Sequence, residues 1–440
     1  MSALSHPMAS APVAPGGEPG MQAEPVAEPG SLRILWVKVG GLWPLNTGGR
    51  LRSFHLLREL SAQHDVTVVT THGPAEDPDA LGRQLPRCRD VQSVPHTPAK
   101  KNSGRFLLAL ARSWFSPLPL DMFKNRIDPV RRTVAACLAE ERFDLIIADF
   151  LVAIPNVPLG TETPVLHFSH NVEYMIWQRL AATETRPVHK ALLALEWRKM
   201  RRAELEACRK ADFTVAVSDQ DRDQLGDGLE PGRIASIPTG VDLDYFQVGE
   251  RGDEIPDEIV FSGSMDWFPN EDAILHFIEA ILPRIREARP AVTVTVVGRN
   301  PSDRLRAAAE AASVRVTGTV DDVRPYVQRG AVYMVPLRIG GGTRLKIYEA
   351  LAMGKAVVST TIGAEGLPLV EGEHIVRADD PGDFAREVVG LLEDRERREV
   401  LGDAGRSLME ERFSWAQVAR DFERHCRRAI EHRRGLRRSA

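Results

Sequence analysis

Short apolar runs that alternate with helical patterns recur along most of the chain. The first two are LRILWVKV from Leu32 and HDVTVVTT from His64, and a loop and a helical segment, LRSFHLLRELSAQ, separate them. Runs as uniformly apolar as these are typical of parallel strands, because connecting helices bury both faces of a parallel sheet. The sequence therefore predicts an α/β protein with doubly wound, Rossmann-like sheets.

The alternation falls into two series, and 440 residues suffice for two domains. The first series continues through FDLIIA, PVLHF and FTVAV, and the second contains IVFSGS, VTVTVVG, VRVTG, AVYMVPL and AVVST. Two such domains leave a cleft between the carboxyl ends of their sheets, where open α/β folds bind ligands. We predict an N-terminal domain over 31–230, a linker over 231–257, a C-terminal domain over 258–412, and a C-terminal helix with a basic tail over 413–440 that crosses back to the N-terminal domain.

Composition narrows the class of protein. Residues 1–30 are rich in Pro, Ala, Gly and Glu and lack the apolar core of a signal peptide, so they predict a disordered leader. No run approaches the roughly 18 apolar residues of a membrane span. The net charge of −4 gives no bias toward nucleic acid, and the four cysteines have neither metal-ligand spacing nor a disulfide pattern. A cytoplasmic protein without a nucleic-acid partner is expected.

The stretch from Pro336 to Gly366 predicts an anion site. Three glycines, 340–342, follow an apolar run, and a helical pattern closed by Gly354 comes after them. Glycines at a strand-to-helix junction allow close approach of a ligand, and the free amides of a helix N-terminus favour an anion. This arrangement suits the phosphates of a nucleotide.

Lys346 and Glu349 share a face of that predicted helix because they are three residues apart. A cation near the glycines suits a diphosphate, and an ionised carboxylate can accept hydrogen bonds from two neighbouring sugar hydroxyls. The alternative interpretation is an ordinary surface ion pair on a helix that covers the sheet.

Taken together, these motifs resemble the GT-B glycosyltransferases, specifically the retaining glycosyltransferase family four in a branch with the GGGTRLK pattern. The resemblance extends from Leu32 to about Ile430. It rests on SHNVEY (169–174), VSDQD (217–221), PTGVDLDYF (238–246), FSGSMDWFPNEDA (261–273), VTVVGRNP (294–301), PLRIGGGTRLKIYEALAMGKAVVST (336–360) and FSW (413–415).

The resemblance implies roles for individual residues. Glu349 would hold the ribose hydroxyls, Lys346 or Arg338 would face the leaving diphosphate, and His170 would be the catalytic-site histidine that touches the donor sugar. Gly48 and Gly49, in the first loop, would approach the donor phosphate or the acceptor. The full set of predicted donor-binding residues is Gly48, Gly49, Ser262, Gly263, Arg338, Gly341, Gly342, Thr343, Lys346 and Glu349.

Two departures from the family pattern affect the donor site. The family often has a second glutamate ahead of the ribose-binding one, with seven residues between the two; that glutamate would fall at position 341, which is glycine in this sequence. The loop 262–271 has no basic residue, although the family commonly places an Arg and a Lys there for the diphosphate. The positive charge must therefore come from Arg338, Arg344 or Lys346.

Three further segments have competing interpretations. His170 could be structural, beside the helix-capping Asn171, and His167 is expected to pack inside. The sequence Asp242-Leu243-Asp244 has a metal-chelating pattern but lies in the predicted linker, so no metal is expected. The helix Lys190–Lys210 is basic and amphipathic, and either covers the domain or lies on an anionic membrane where lipid-linked glycans reside.

The resemblance thus implies a retaining hexosyltransferase of surface or exported polysaccharide assembly, and the sequence predicts that it needs neither a metal nor a cofactor. It would use a nucleotide-diphosphate sugar as donor and a glycan or lipid-linked glycan as acceptor, in the cytoplasm or on the inner face of the membrane. The alternatives are a nucleotide-sugar epimerase of the same fold and an inactive nucleotide-sugar binding protein.

Overall fold

A computed structural model describes residues 30–45, 47–98, 103–339 and 345–439. Within these ranges the chain forms two parallel-sheet α/β domains, so the predicted fold class is confirmed. The predictions for the leader, apart from Gly30, and for Gly341, Gly342, Thr343 and Arg344 concern positions outside the described residues.

The first sheet has the order β3-β2-β1-β4-β5-β6-β7, and all its neighbouring strands are parallel. The chain therefore winds outward in both directions from the β1/β4 pair. The strands are β1 (Arg33–Lys38), β2 (Asp65–His72), β3 (Asp90–Pro95), β4 (Leu145–Asp149), β5 (Val165–Phe168), β6 (Phe213–Ala216) and β7 (Ile234–Ser236). β7 lies inside the stretch 231–257 predicted as a linker, where its half-buried residues pair with β6.

Helices cover both faces of this sheet. They are α1 (Gly48–Leu60), α2 (Ala80–Gln84), α3 (Gly104–Trp114), α4 (Leu120–Lys124), α5 (Asp128–Glu140), α6 (Glu173–Thr183), α7 (Pro187–Lys210) and α8 (Asp219–Leu225), with a 3₁₀ turn at Leu151–Asn156. Gly48 and Gly49, predicted in the first loop, are the first two residues of α1. The helix starts there because the Thr47 side chain accepts a hydrogen bond from the Arg50 amide and caps it.

The second sheet has the order β10-β9-β8-β11-β12-β13, and all its neighbouring strands are again parallel. The strand order reverses between β8 and β11. Its strands are β8 (Ile255–Ser262), β9 (Thr293–Val297), β10 (Arg315–Val316), β11 (Gly330–Val335), β12 (Ala356–Ser359) and β13 (Val376–Arg377). Its helices are α9 (Phe268–His276), α10 (Leu282–Ala288), α11 (Asp303–Ala311), α12 (Arg324–Arg329), α13 (Leu345–Ala352), α14 (Pro381–Glu393) and α15 (Arg395–Leu408). A 3₁₀ turn spans Arg251–Asp253, and π-helical turns follow α9 and α15 at Phe277–Ile281 and Met409–Phe413.

The last helix, α16 (Trp415–Ser439), packs on the first domain. Trp415 and Phe422 belong to the same apolar cluster as β1, and Val241 pairs with Ser414 where two chain segments run side by side. Gly240 is required at this crossing, since a Cβ there would lie 2.6 Å from the Trp415 ring. The basic tail is engaged with the domain, because an Arg433 NH2 group lies 2.9 Å from Asp212 Oδ2.

Candidate functional site

The carboxyl ends of β1, β4 and β5 bring three ionisable side chains together. Lys38 and Asp149 end their strands directly opposite each other, and His170 follows β5 by two residues. The Lys38 Nζ lies 3.2 Å from Asp149 Oδ2, and His170 Nε2 lies 2.7 Å from Asp149 Oδ1. All three are buried, at the point where the strand order reverses, which is the usual ligand position in open α/β sheets.

The hydrogen bonds of His170 fix its tautomer. An NH1 group of Arg52 lies 3.0 Å from Nδ1, and a guanidinium can only donate, so Nδ1 is the acceptor. The proton therefore resides on Nε2 and is donated to Asp149. Burial lowers the pKa of His170 to about 3, although the Asp149 carboxylate opposes that shift, so the ring is neutral. Both ring nitrogens are engaged, which fits a positioning role; the predicted catalytic role of His170 stays a prediction.

Burial and the attraction between Lys38 and Asp149 have opposite effects on the pKa of each residue, because burial favours the neutral form and the attraction favours the charged form. Burial lowers the pKa of Lys38 to about 8, even though Asp149 stabilises its charge. Burial would favour the neutral form of Asp149, but Lys38 and His170 hold the pKa of that carboxyl well below its ordinary range. Arg52 also donates to the Thr239 hydroxyl, which lies in the segment that leads out of the first domain.

Phe150 has an unusual backbone at the end of β4. Its φ is +74°, a left-handed value that costs a bulky residue about 1 kcal/mol or more. The ring stacks on His170 with centroids 3.8 Å apart, and Lys38 Nζ lies 3.9 Å from its centroid. A Cβ at Gly49 would come within 2.4 Å of the ring tip, so that glycine lets Phe150 pack against α1. By contrast, a Cβ at Gly48 would meet open space.

The second sheet also carries candidate residues where its strand order reverses. Ser262 ends β8 and Gly263 follows it, and their polar groups hold the loop in place. The Ser262 hydroxyl lies 2.6 Å from the Tyr333 hydroxyl, and the Gly263 amide donates to the Val297 carbonyl at 2.9 Å. The two predicted donor-binding residues thus form part of the framework at this strand end.

Helix α13 places Lys346 and Glu349 on one face, as predicted. Gly354 follows the end of the helix by two residues with φ +68°, which confirms the predicted cap. Burial raises the pKa of Glu349 to about 7, although the Lys346 charge opposes that shift. Among the residues that the structure describes, none donates a hydrogen bond to the Glu349 carboxylate. Such a carboxylate is suited to accept hydrogen bonds from a bound ligand.

Lys346 extends from α13 to the loop that follows β8. Its Nζ lies 2.7 Å from the Asn270 Oδ1 and 4.1 Å from the centroid of the Phe261 ring. A Cβ at Gly263 would come within 2.6 Å of this Nζ. A side chain from α13 thereby brings a positive charge to a loop that has no basic residue in sequence.

Arg338, the other predicted cation, is paired with an acid. Its Nε and an NH2 group lie 3.1 and 2.7 Å from the two carboxylate oxygens of Asp272 on α9. Arg338 is half exposed and Asp272 is mostly buried, and this fork-like pair balances the Arg338 charge.

The remaining candidates have structural contacts. His167 is fully buried, as expected. Asp242 accepts hydrogen bonds from Arg58 and from the amides of Asp244 and Tyr245, which makes the Asp-x-Asp segment a turn. Within the described ranges, no cluster of three or more His, Cys, Asp or Glu side chains could hold a metal ion.

Helix α7, the predicted basic amphipathic helix, has two different halves. Met200 and Leu205 are buried against the domain, whereas Leu192 and Leu195 are exposed. In the described part of the chain, no helix combines the length and apolarity that crossing a membrane requires.

Five residues of these clusters were not identified from the sequence: Lys38, Arg52, Asp149, Phe150 and Asn270. Lys38 and Asp149 did carry a signal, because a charged residue at the end of a buried parallel strand lies at the ligand edge of the sheet. The side chains of Arg52 and Asn270 reach their partners across 118 and 76 positions of the chain. No local pattern indicates such contacts.

Two family models match successive parts of the chain. The model described as Glycosyltransferase Family 4 matches residues 48–245, and the model described as Glycosyl transferases group 1 matches residues 256–394. Together they cover most of the chain, and the first matches β2 to β7 of the first sheet while the second matches the strands of the second sheet.

Two curated relatives with named activities match about half of the chain. A D-inositol 3-phosphate glycosyltransferase 2 of Catenulispora acidiphila is 29% identical over 253 residues, 52% of this chain and 58% of the relative. A phosphatidyl-myo-inositol mannosyltransferase of Mycobacterium tuberculosis is 32% identical over 223 residues, 48% of this chain and 58% of the relative. The chain thus spans little more than half the length of either relative.

A solved structure agrees with the fold over almost the whole chain. The sucrose-phosphate synthase of Thermosynechococcus elongatus superimposes with a TM-score of 0.63 at 18% identity, covering 91% of this chain and 99% of the other. Identity this low supports the shared two-domain architecture alone.

Proposed function

We propose that this chain, which belongs to the glycosyltransferases of the family 4 type, moves a sugar from a nucleoside diphosphate donor to a hydroxyl acceptor. The main support for this proposal is the pair on α13. Lys346 and Glu349 share a face of that helix near the point at which the second sheet reverses its strand order. A cation and a carboxylate with no hydrogen-bond donor among the described residues match the diphosphate and the ribose of one nucleotide.

In the proposed donor complex, the Glu349 carboxylate accepts hydrogen bonds from the two ribose hydroxyls. Lys346 or Arg338 lies against the diphosphate, and the amides of Gly341, Gly342 and Thr343 bind its distal phosphate. Cleavage of the anomeric bond leaves negative charge on the departing diphosphate oxygen. A cation held in place before the reaction lowers the energy of that transition state.

The acceptor lies, in this proposal, against the first domain near α1 and the buried cluster of Lys38, Asp149 and His170. Closure of the two domains over the bound donor excludes water and brings the acceptor hydroxyl to the anomeric carbon. We propose retention of anomeric configuration, without a covalent carboxylate nucleophile and without a bound metal.

The names of the matched relatives suggest acceptors to test first. One relative is named for D-inositol 3-phosphate and the other for phosphatidyl-myo-inositol, a lipid. We include a phosphorylated cyclic polyol and a lipid-linked form among the glycan acceptors for this chain. The exposed leucines of α7 provide a contact to an anionic membrane, and flotation with anionic vesicles that shows no lipid dependence removes that part of the proposal.

The proposal is tested with a panel of UDP-, GDP- and ADP-sugars, each incubated with and without the acceptors. Acceptor-dependent release of nucleoside diphosphate together with a glycosylated product supports transfer. An isomerised sugar without any acceptor indicates an epimerase, and binding without turnover indicates an inactive binder; either result contradicts the proposal.

A further inference from the structure

Lys346 and Arg338 are the two described cations predicted for the diphosphate, and their hydrogen-bond partners differ in charge. Arg338 is paired with the carboxylate of Asp272, whereas Lys346 hydrogen-bonds to the neutral amide oxygen of Asn270 at 2.7 Å. The Asp272 carboxylate therefore already balances the charge of Arg338, whereas Asn270 fixes the position of the Lys346 ammonium without adding a negative charge.

The orientation of the Asn270 amide is determined by its two partners. Its Nδ2 group donates to the Ser264 carbonyl at 2.8 Å, so its oxygen must face the Lys346 ammonium. The opposite orientation would place a donor against a donor. Asn270 is 3% exposed and lies in the first turn of α9, so the rest of the domain holds it in place.

The loop after β8 is shaped around this contact. A Cβ at Gly263 would lie 2.6 Å from Lys346 Nζ and 2.8 Å from Asn270 Nδ2, so a larger residue would displace both side chains. A Cβ at Gly298 would lie 1.8 Å from the Gly263 carbonyl oxygen, so the residue after β9 also has to be glycine for this loop to pass. Both glycines therefore leave room for the Lys346 ammonium beside the end of β8.

We propose that Asn270 is a positioning residue, which holds Lys346 at the end of β8 as the cation of the diphosphate subsite. The inference rests on the proposed function and extends it, because it selects Lys346 over Arg338 and assigns a role to Asn270. Lys346 of α13 supplies the positive charge that residues 262–271 lack, and Asn270 of α9 holds it there.

The test compares a nucleoside diphosphate with the corresponding nucleoside. Wild-type protein is first screened with UDP, GDP and ADP, and the one that binds is titrated by calorimetry into wild type, Asn270→Ala and Asn270→Asp. Asn270→Ala is expected to weaken diphosphate binding about tenfold, the usual effect of losing one hydrogen bond to a charged group, and to leave nucleoside binding unchanged. Asn270→Asp is expected to weaken it further, because a carboxylate neutralises Lys346.

Asn156→Ala is the matched control. Asn156 is also an asparagine of 3% exposure whose amide hydrogen-bonds to backbone groups, but it lies in the first domain away from Lys346. Its loss should lower stability without changing the ratio of diphosphate to nucleoside affinity. If Asn270→Ala does not fold, the similarly shaped Asn270→Asp carries the test.

The outcomes separate the two proposals. If Asn270→Ala and Asn270→Asp weaken nucleoside and diphosphate equally, or change neither, the positioning role is overturned. If the positioning role of Asn270 is overturned while Glu349→Ala still weakens nucleoside binding, the proposed function remains supported without that role. If no nucleotide binds the wild type, both are overturned.

Discussion

The Nε2 of His170 donates a hydrogen bond to the Asp149 carboxylate across 2.7 Å, while Arg52 occupies the other ring nitrogen. The same carboxylate accepts from the Trp36 indole and pairs with Lys38. Asp149 is thus the anion that balances the buried cations Lys38 and Arg52 where the first sheet reverses its order.

Removing the Asp149 charge should strongly destabilise the first domain. Asp149→Asn leaves Lys38 buried without its counter-charge, and breaking one side of a buried ion pair costs about 3–5 kcal/mol. The loss in free energy of unfolding is measured by urea denaturation of Asp149→Asn, Lys38→Met and the double variant. The double variant should recover part of the loss; simple additivity of the two single losses would contradict the assigned pairing.

Gly49 and Phe150 should be energetically coupled. Gly49→Ala places a methyl group 2.4 Å from the Phe150 ring tip, and His170 and Lys38 limit the movement of that ring. We expect a loss of about 1–3 kcal/mol from this overpacking. In a Phe150→Ala background the same substitution should cost much less, as measured by thermal denaturation. Gly48→Ala is the control, since a methyl group there meets open space; an equal loss in both backgrounds would count against the packing described.

Burial of Glu349 makes stability depend on pH. The folded chain holds this proton up to about pH 7, whereas an unfolded glutamate releases it near 4.5, so the associated stability is complete below 4.5 and is lost as the pH rises through 7. Glu349→Gln carries no charge and should therefore be more stable than wild type at pH 8, by on the order of 2 kcal/mol.

The Glu349→Gln difference should disappear below pH 4.5, where both side chains are neutral. The difference in free energy of unfolding is measured by chemical denaturation at pH 8 and at the lowest pH at which the protein stays folded. Glu365→Gln, at an exposed position, is the control. A Glu349→Gln protein that is less stable than wild type at pH 8 would disprove the assigned burial of charge.

The Arg338–Asp272 pair should limit how much Arg338 contributes to ligand binding. Asp272→Asn leaves Arg338 without its carboxylate and should strengthen nucleoside diphosphate binding a few-fold, with the largest effect at low salt. Arg338→Gln should weaken it by less than Lys346→Met does. Calorimetry at two salt concentrations checks both, and a larger loss for Arg338→Gln would show that Arg338 is the principal cation.

The sequence predicted the parts of the fold that follow from local patterns. Uniformly apolar runs indicated β1, β4 and β8, and the spacing of apolar residues before Gly354 indicated α13. β3, with only one buried residue, and the half-buried β7 were not recognised, because edge strands lack the apolar run of a central parallel strand.

The sequence also predicted those parts of the candidate site that follow from local spacing. Glu349 and Lys346 share a helical face that can be read from their spacing alone. The partners of Lys346 and His170 come from distant segments, so their contacts depend on how the sheets are assembled. The pairing of Arg338 with Asp272 likewise has no local signal, since 66 positions separate the two residues.

The central claim is that Glu349 holds the sugar of a nucleotide. Its most direct test is calorimetric titration, at pH 8, of the best-binding nucleoside diphosphate into wild type and Glu349→Ala. We predict an affinity about tenfold or more weaker for Glu349→Ala, with the same loss for the nucleoside alone, because the hydrogen bonds to the sugar hydroxyls are removed. Equal affinity of the two proteins for both ligands would contradict the claim.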